Sequence, residues 1–226
     1  MLRIAKTENG LVRGMAAADP RITAFRGVPF AAPPVGDLRW RAPQPAENWE
    51  GVRDCLEFAP ISMQYVPGAN PEDFYAREWH VDPEIPMSED CLYLNIWTPG
   101  LDDQKRPVLV WLHGGGFESG SAIEHLAYEG ENMSRYGDAV VVSVNHRLNL
   151  LGYLDLSSLG EAFSDSGNCG GDDIIASLRW IQENIAAFGG NPDNVTLFGQ
   201  SGGGAKITTL LQTPAADGLY HKGIIM

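Results

Sequence analysis

The chain has 226 residues, with 29 Asp or Glu against 16 Lys or Arg, a formal net charge of −13. Nucleic acids and anionic bilayers both recruit basic surface, so this balance speaks against either as a partner. Apolar residues make up 44% and charged residues 20%, which is enough to bury a core and too apolar for a disordered chain.

Cys55, Cys91 and Cys169 are too few and too scattered for a disulfide framework, and no pair has zinc-ligand spacing. No apolar run approaches a membrane span, and the first residues, MLRIAK, lack the apolar centre of a signal peptide. The expectation is a soluble, cytoplasmic protein that needs no metal or cofactor.

Residues 3–16 alternate loosely around Asn9-Gly10, a dipeptide suited to a type I′ turn, which predicts a β-hairpin. A short strand follows near 22–30. Four prolines and two tryptophans between 31 and 50 predict an ordered but irregular wrap, and 51–90 stays mostly irregular. So much loop in a compact domain suggests that loops build a site.

From residue 91 the pattern changes. Residues 92–98 read as a strand. Residues 108–113 and 139–145 are continuous apolar runs, the mark of strands covered on both faces of a parallel sheet. Ile174, Leu178, Ile181, Ile185 and Phe188 make one apolar stripe, predicting a helix over 173–188, capped by Asp172 or Asp173 and ended by Gly189-Gly190. A strand at 195–198, a helix over 202–212 and the opening of another strand at 223–226 complete the alternation. The class is α/β with a mostly parallel sheet.

The strand at 195–198 runs into Gly199-Gln200-Ser201-Gly202-Gly203 and then a helix, the strand–turn–helix setting of a G-x-S-x-G nucleophile elbow. A sharp turn lifts the Ser201 oxygen above the strand ends, and the helix N-terminus points free N–H groups at the reacting centre. His113-Gly114-Gly115-Gly116 directly follows the strand at 108–112. A glycine run there presents backbone N–H groups where acyl transfer develops an oxyanion. Two rival readings fit worse. As a phosphate loop, residues 199–207 place Lys206 one residue late and Ile207 where a magnesium-binding hydroxyl belongs, and the 114–116 glycines lack the third glycine of a dinucleotide fingerprint.

Residues 89–99 (EDCLYLNIWTP) and 188–203 (FGGNPDNVTLFGQSGG) carry a resemblance to the type-B carboxylesterase/cholinesterase family of α/β-hydrolases, supported by 25–31, 145–148 and 180–188. The resemblance runs collinearly along the whole chain. It implies an α/β-hydrolase fold with an N-terminal β-hairpin, of which residues 1–226 are the N-terminal portion of a single domain. It also implies a serine hydrolase that cleaves small-molecule carboxylic esters, with Ser201 as nucleophile and Gly115, Gly116 and Gly202 as oxyanion hole.

The family's Glu and His of the triad lie downstream of the nucleophile and are expected beyond residue 226. None of His80, His113, His125, His146 and His221 matches that histidine; His113 is read as orienting the loop, and His146 stands where the family usually has Tyr. The isolated 226 residues, with a sheet edge open near Ile224, are expected to be poorly soluble and essentially inactive. The alternative is a catalytically inactive cholinesterase-like interaction protein, which usually loses the nucleophile that Ser201 retains.

Departures from the family carry further expectations. Gln200 replaces the usual Glu. Ser62 replaces the cysteine that would pair with Cys91, so that bridge is expected to be absent, with Cys55 a poor substitute. The resemblance also implies two partly buried ion pairs, Arg39 with Glu89 and Arg147 with Asp173. Tyr75 and Trp79 are read as packing residues rather than as the lining of an entrance.

Overall fold

A computed structural model describes residues 3–65 and 85–226. Eleven strands are present among them: β1 (Arg3–Thr7), β2 (Gly10–Ala16), β3 (Thr23–Pro29), β4 (Val52–Asp54), β5 (Ile61–Ser62), β6 (Met87–Ser88), β7 (Tyr93–Thr98), β8 (Arg106–Leu112), β9 (Val140–Val144), β10 (Gly190–Gly199) and β11 (Lys222–Ile225). The α-helices are α1 (Glu131–Gly137), α2 (Asn149–Tyr153), α3 (Cys169–Asn184) and α4 (Gly202–Leu210).

The main sheet runs β1-β2-β3-β7-β9-β8-β10-β11, with β4 beside β2. Strands β9, β8, β10 and β11 are parallel, and the continuous apolar sequences of β8 and β9 are buried on both faces as expected; β11, at the end of the order, is exposed. The flank from β1 to β7 is antiparallel along that path and joins β9 in the same sense. Val108, Val110, Val140, Val142, Val195 and Leu197 form the middle of the core, and Phe25 and Phe188 close one end edge-to-face at 4.9 Å.

The order of the parallel strands positions the site. From β8 the chain crosses to β9 on one side, and from β10 it crosses to β11 on the other. Adjacent strands whose outgoing connections diverge leave a crevice beyond their carboxyl ends, where α/β sheets bind ligands. Leu112 and Gly199 are register partners, so the glycine loop and the Ser201 turn emerge side by side.

Two local expectations are corrected. The hairpin pairs Thr7 with Gly10, so Glu8 and Asn9 make the turn, and Asn9 lacks the positive φ of a type I′ turn centred on Asn9-Gly10. Tertiary contacts set this turn. The Glu8 N–H donates to Asn184 Oδ1 at 2.8 Å, Asn9 Nδ2 donates to Ala46 O at 3.0 Å, and the Trp49 indole lies where a Cβ on residue 10 would stand.

The long helix α3 begins at Cys169, four residues before the expected start, and its N-cap Asn168 makes no side-chain cap bond. Asp173 is not a cap. It turns inward to Arg147, and the helix propagates backward into a 3₁₀ turn at Ser166–Asn168. The apolar stripe from Ile174 to Phe188 is buried as expected, and Gly189, at φ +77°, ends it.

Candidate active site

Ser201 sits between β10 and α4 with φ 56° and ψ −120°, a strained conformation for a residue with a side chain, and it is exposed. Its turn is held from both sides. The Ser201 N–H donates to Met226 O at 2.8 Å, at the end of β11, and the Gly203 N–H donates to Gln200 O at 2.9 Å. The turn must also pass very close to β8: a Cβ on Gly203 would stand 2.0 Å from Leu112 O.

The glycine loop lies directly against this turn. An ideal Cβ on Gly114 would be 3.6 Å from Ser201 Cβ, and one on Gly202 would be 2.5 Å from Gly116 N. In a trans peptide the C=O of one residue and the N–H of the next point in opposite directions, so holding the carbonyl aims the amide. The Gly114 carbonyl is bonded to His113 Nδ1 at 2.8 Å, which aims the Gly115 N–H. The Gly115 carbonyl accepts from Ser119 N at 3.1 Å, which aims the Gly116 N–H. The Ser201 carbonyl accepts from Ala205 N at 3.0 Å, which aims the Gly202 N–H. Among the described residues none of these three amides donates to a protein group. Three backbone donors without a protein partner among the described residues therefore lie beside an exposed hydroxyl.

His113 is buried and its ring stacks on that of His146, with centroids 4.8 Å apart and planes within 9°. Burial, reinforced by the nearby Lys206 ammonium, holds both imidazoles well below the usual histidine range, so both are neutral near pH 7. A carbonyl only accepts, so the His113 proton sits on Nδ1. This side chain holds the loop, as its sequence position suggested. His221 directly precedes β11, where Nδ1 accepts from Val195 N at 3.1 Å; His125 accepts from Ala127 N at 3.2 Å. His80, Tyr75 and Trp79 lie outside the described residues.

The profile of the carboxylesterase family matches residues 2–226. The chain belongs to the carboxylesterase family. Within it, the chain is 43% identical over 224 residues to para-nitrobenzyl esterase of Bacillus subtilis, covering 99% of this chain and 43% of that protein. It is 45% identical to phenmedipham hydrolase of Pseudarthrobacter oxydans, over 98% of this chain and 42% of the relative. The structure of an esterase from Clostridium hathewayi that can hydrolyse aliphatic aromatic polyesters superposes with a TM-score of 0.86 at 46% identity, covering 98% of this chain and 42% of that one. The chain thus spans less than half the length of these carboxylesterase relatives.

The carboxylesterase signatures also frame the site's supports. Arg39 meets Glu89 through Nε and Nη2 at 2.5 and 2.6 Å, half-exposed. Arg147 meets Asp173 through Nε and Nη2 at 2.8 and 2.6 Å, with side chains 3% and 0% exposed. Both pairs expected from the resemblance are formed. All three cysteines are free and buried, and Ser62 neighbours Cys91, whose thiol burial pushes up to about 12.

Other supports carry weaker sequence signals. Gln64 clamps Gly120 by donating to its carbonyl at 2.9 Å and accepting from its N–H at 2.7 Å. Asn145 Oδ1 accepts from Ala122 N at 2.8 Å. Lys206 is buried and bonded to the His113 carbonyl. Its sequence signal is its place on the buried stripe of α4 with Gly203, Ile207 and Leu210, where a charge is out of place.

Proposed function

We propose that this chain carries the nucleophile and oxyanion hole of a hydrolase acting on small-molecule carboxylic esters. The observation that carries the reading is the strained, exposed Ser201 beside the three uncommitted amides of Gly115, Gly116 and Gly202. Ser201 Oγ attacks the ester carbonyl carbon and gives its proton to a general base. The three amides stabilise the resulting oxyanion. The tetrahedral species then expels the alcohol, which takes up that proton, and leaves an acyl group on Ser201. Water adds to this acyl-enzyme in the same way and releases the carboxylic acid.

The His113 and His146 rings are neutral and buried, His113 held by the Gly114 carbonyl and His146 by the Arg147 carbonyl; following the carboxylesterase resemblance, the reading takes the base from a histidine outside these 226 residues, oriented by an acidic residue also outside them. A serine hydroxyl without such a base is a weak nucleophile. A groove beside the oxyanion loop, lined by Met63, Tyr65, Phe117, Leu150 and Tyr153, offers apolar surface to an acyl or alcohol group.

The test uses the full-length polypeptide that carries these residues. A fluorophosphonate probe is expected to label Ser201, and Ser201→Ala to remove labelling and to lower para-nitrophenyl ester turnover by on the order of 10⁴-fold or more. Labelling at another serine, or turnover by the variant near that of the parent, overturns the reading.

A further inference from the structure

Three consecutive carbonyls at the start of the oxyanion loop are each held by a different group. Gly115 O is held by the Ser119 amide, Gly114 O by the His113 ring, and His113 O by Lys206 Nζ at 2.9 Å. The first two contacts are local to the loop. The third spans 93 residues and comes from the helix that Ser201 opens. Among the described residues it is the only hydrogen bond joining residues 113–120 to residues 201–210.

The lysine is committed to this position. Its residue is 2% exposed, its Nζ lies 5.7 Å from the centroid of the Phe117 ring, and Phe117 packs edge-to-face on Tyr153 at 5.2 Å. A buried amine with one hydrogen bond is a costly way to fill space, since an apolar side chain of that length would fill it without desolvating a polar head. What the amine supplies and an apolar stem does not is a tether between the two halves of the oxyanion hole. Gly115 and Gly116 come from the loop, whereas Gly202 comes from the helix. Their amides can serve one oxygen only if loop and helix keep their spacing, and misplacement by about 1 Å can cost on the order of 10²-fold in rate.

We infer that Lys206 is a positioning residue for ester hydrolysis: by gripping the His113 carbonyl it locks the glycine loop to the Ser201 helix and so sets the oxyanion hole. The inference rests on the ester-hydrolase reading of Ser201. Lys206 touches neither substrate nor the reacting atoms in this role. It acts through the peptide plane between His113 and Gly114.

The test compares Lys206→Met and Lys206→Arg with the parent in the full-length polypeptide. All rates are expressed per serine titrated by the fluorophosphonate, so that a partly unfolded preparation does not count as a slow one. Lys206→Met is expected to lower kcat by about 10- to 100-fold with KM within about twofold, because the tether matters most when the oxyanion forms. Its affinity for a tetrahedral mimic, a trifluoromethyl ketone, should fall by the same factor as kcat/KM. Lys206→Arg, which keeps a long stem and a donor, should recover most of both.

Per-site kcat and ketone affinity within twofold of the parent in the Met variant overturn the inference, as does equal behaviour of Met and Arg. If the Met variant does not fold, Lys206→Gln, whose head stops short of the His113 carbonyl, is scored on the same readouts. Loss of folding in both makes Lys206 a residue of the fold alone and also overturns the inference. A parent that neither hydrolyses esters nor labels at Ser201 instead defeats the functional reading.

Discussion

Arg147 and Lys206 are both buried cations near the carboxyl ends of the parallel strands, and the protein treats them differently. Arg147 spends its fork on both oxygens of Asp173 and donates Nη1 to Arg41 O at 2.9 Å, while Asp173 also accepts from the Arg147 N–H at 3.0 Å. Lys206 has one carbonyl partner, and the opposing charge acting on it is Glu124. Burial lowers the Lys206 amine to about 7 and raises the Glu124 carboxyl to about 7. A cation with a full set of partners is a fixed bolt that ties the segment after β9 to α3. A cation with one partner remains sensitive to its surroundings, and here it is placed where the glycine loop meets the Ser201 helix.

The largest expected effect sharpens the first half of that contrast. Arg147→Leu leaves the Asp173 carboxylate buried without its partner and should cost about 3–5 kcal/mol in urea unfolding of the full-length polypeptide. A loss below about 1 kcal/mol breaks the description of this pair as a bolt.

Next comes Gly115→Ala. Residue 115 sits at φ +82°, and a Cβ there would stand 2.3 Å from Ser119 O, the group whose amide holds the Gly115 carbonyl. The tilted plane takes one donor from the oxyanion, and kcat should fall by about 10²–10³, with a smaller change in KM. Unchanged kcat in a folded variant would remove Gly116 N–H from the oxyanion hole.

The second half of the contrast is a matter of pH. An unfolded lysine holds its proton to about 10.5, whereas folded Lys206 sheds it at about 7. Between these values the unfolded state binds more protons, so stability from this residue grows as pH rises from about 7 to 10 and is lost as pH falls through 7. Urea titrations should therefore show the parent gaining on Lys206→Met by on the order of 1 kcal/mol per pH unit across that window.

Glu124 runs the other way. Its folded carboxyl holds a proton to about 7 against an ordinary value of 4.5, so its contribution is lost as pH rises from about 4.5 to 7, and Glu124→Gln should gain on the parent there. Flat difference curves for both variants would dissolve the contrast with Arg147. The smallest effect is expected from Arg39→Ala: its pair with Glu89 is half-exposed, and the unfolding midpoint should move less than in any variant above.

Much of this molecule is legible in its residue pattern. The apolar runs of β8, β9 and β10 and the stripe from Ile174 to Phe188 announce buried parallel strands and a covering helix, because burial on two faces or on one leaves a periodic trace. Gly199-Gln200-Ser201-Gly202-Gly203 and the 114–116 glycines are legible for a similar reason: a tight bend and a close approach admit few residue types. The Glu8-Asn9 turn and the early start of α3 are not legible in this way. In both, a local signal, Asn-Gly or an acidic cap, is overruled by a distant partner, Asn184 and Trp49 in one and Arg147 in the other.

The order of residues alone thus determined the alternation of strand and helix, the family, and the serine with its glycine loop, all of which depend on neighbours along the chain. Only the tertiary structure decided which carbonyls are held and by whom. Residue 113 meets residue 206, and residue 147 meets residue 173, because the sheet brings together ends that the chain separates. The hydrogen bonds that aim each amide, and the burial that moves each proton, exist only after that meeting.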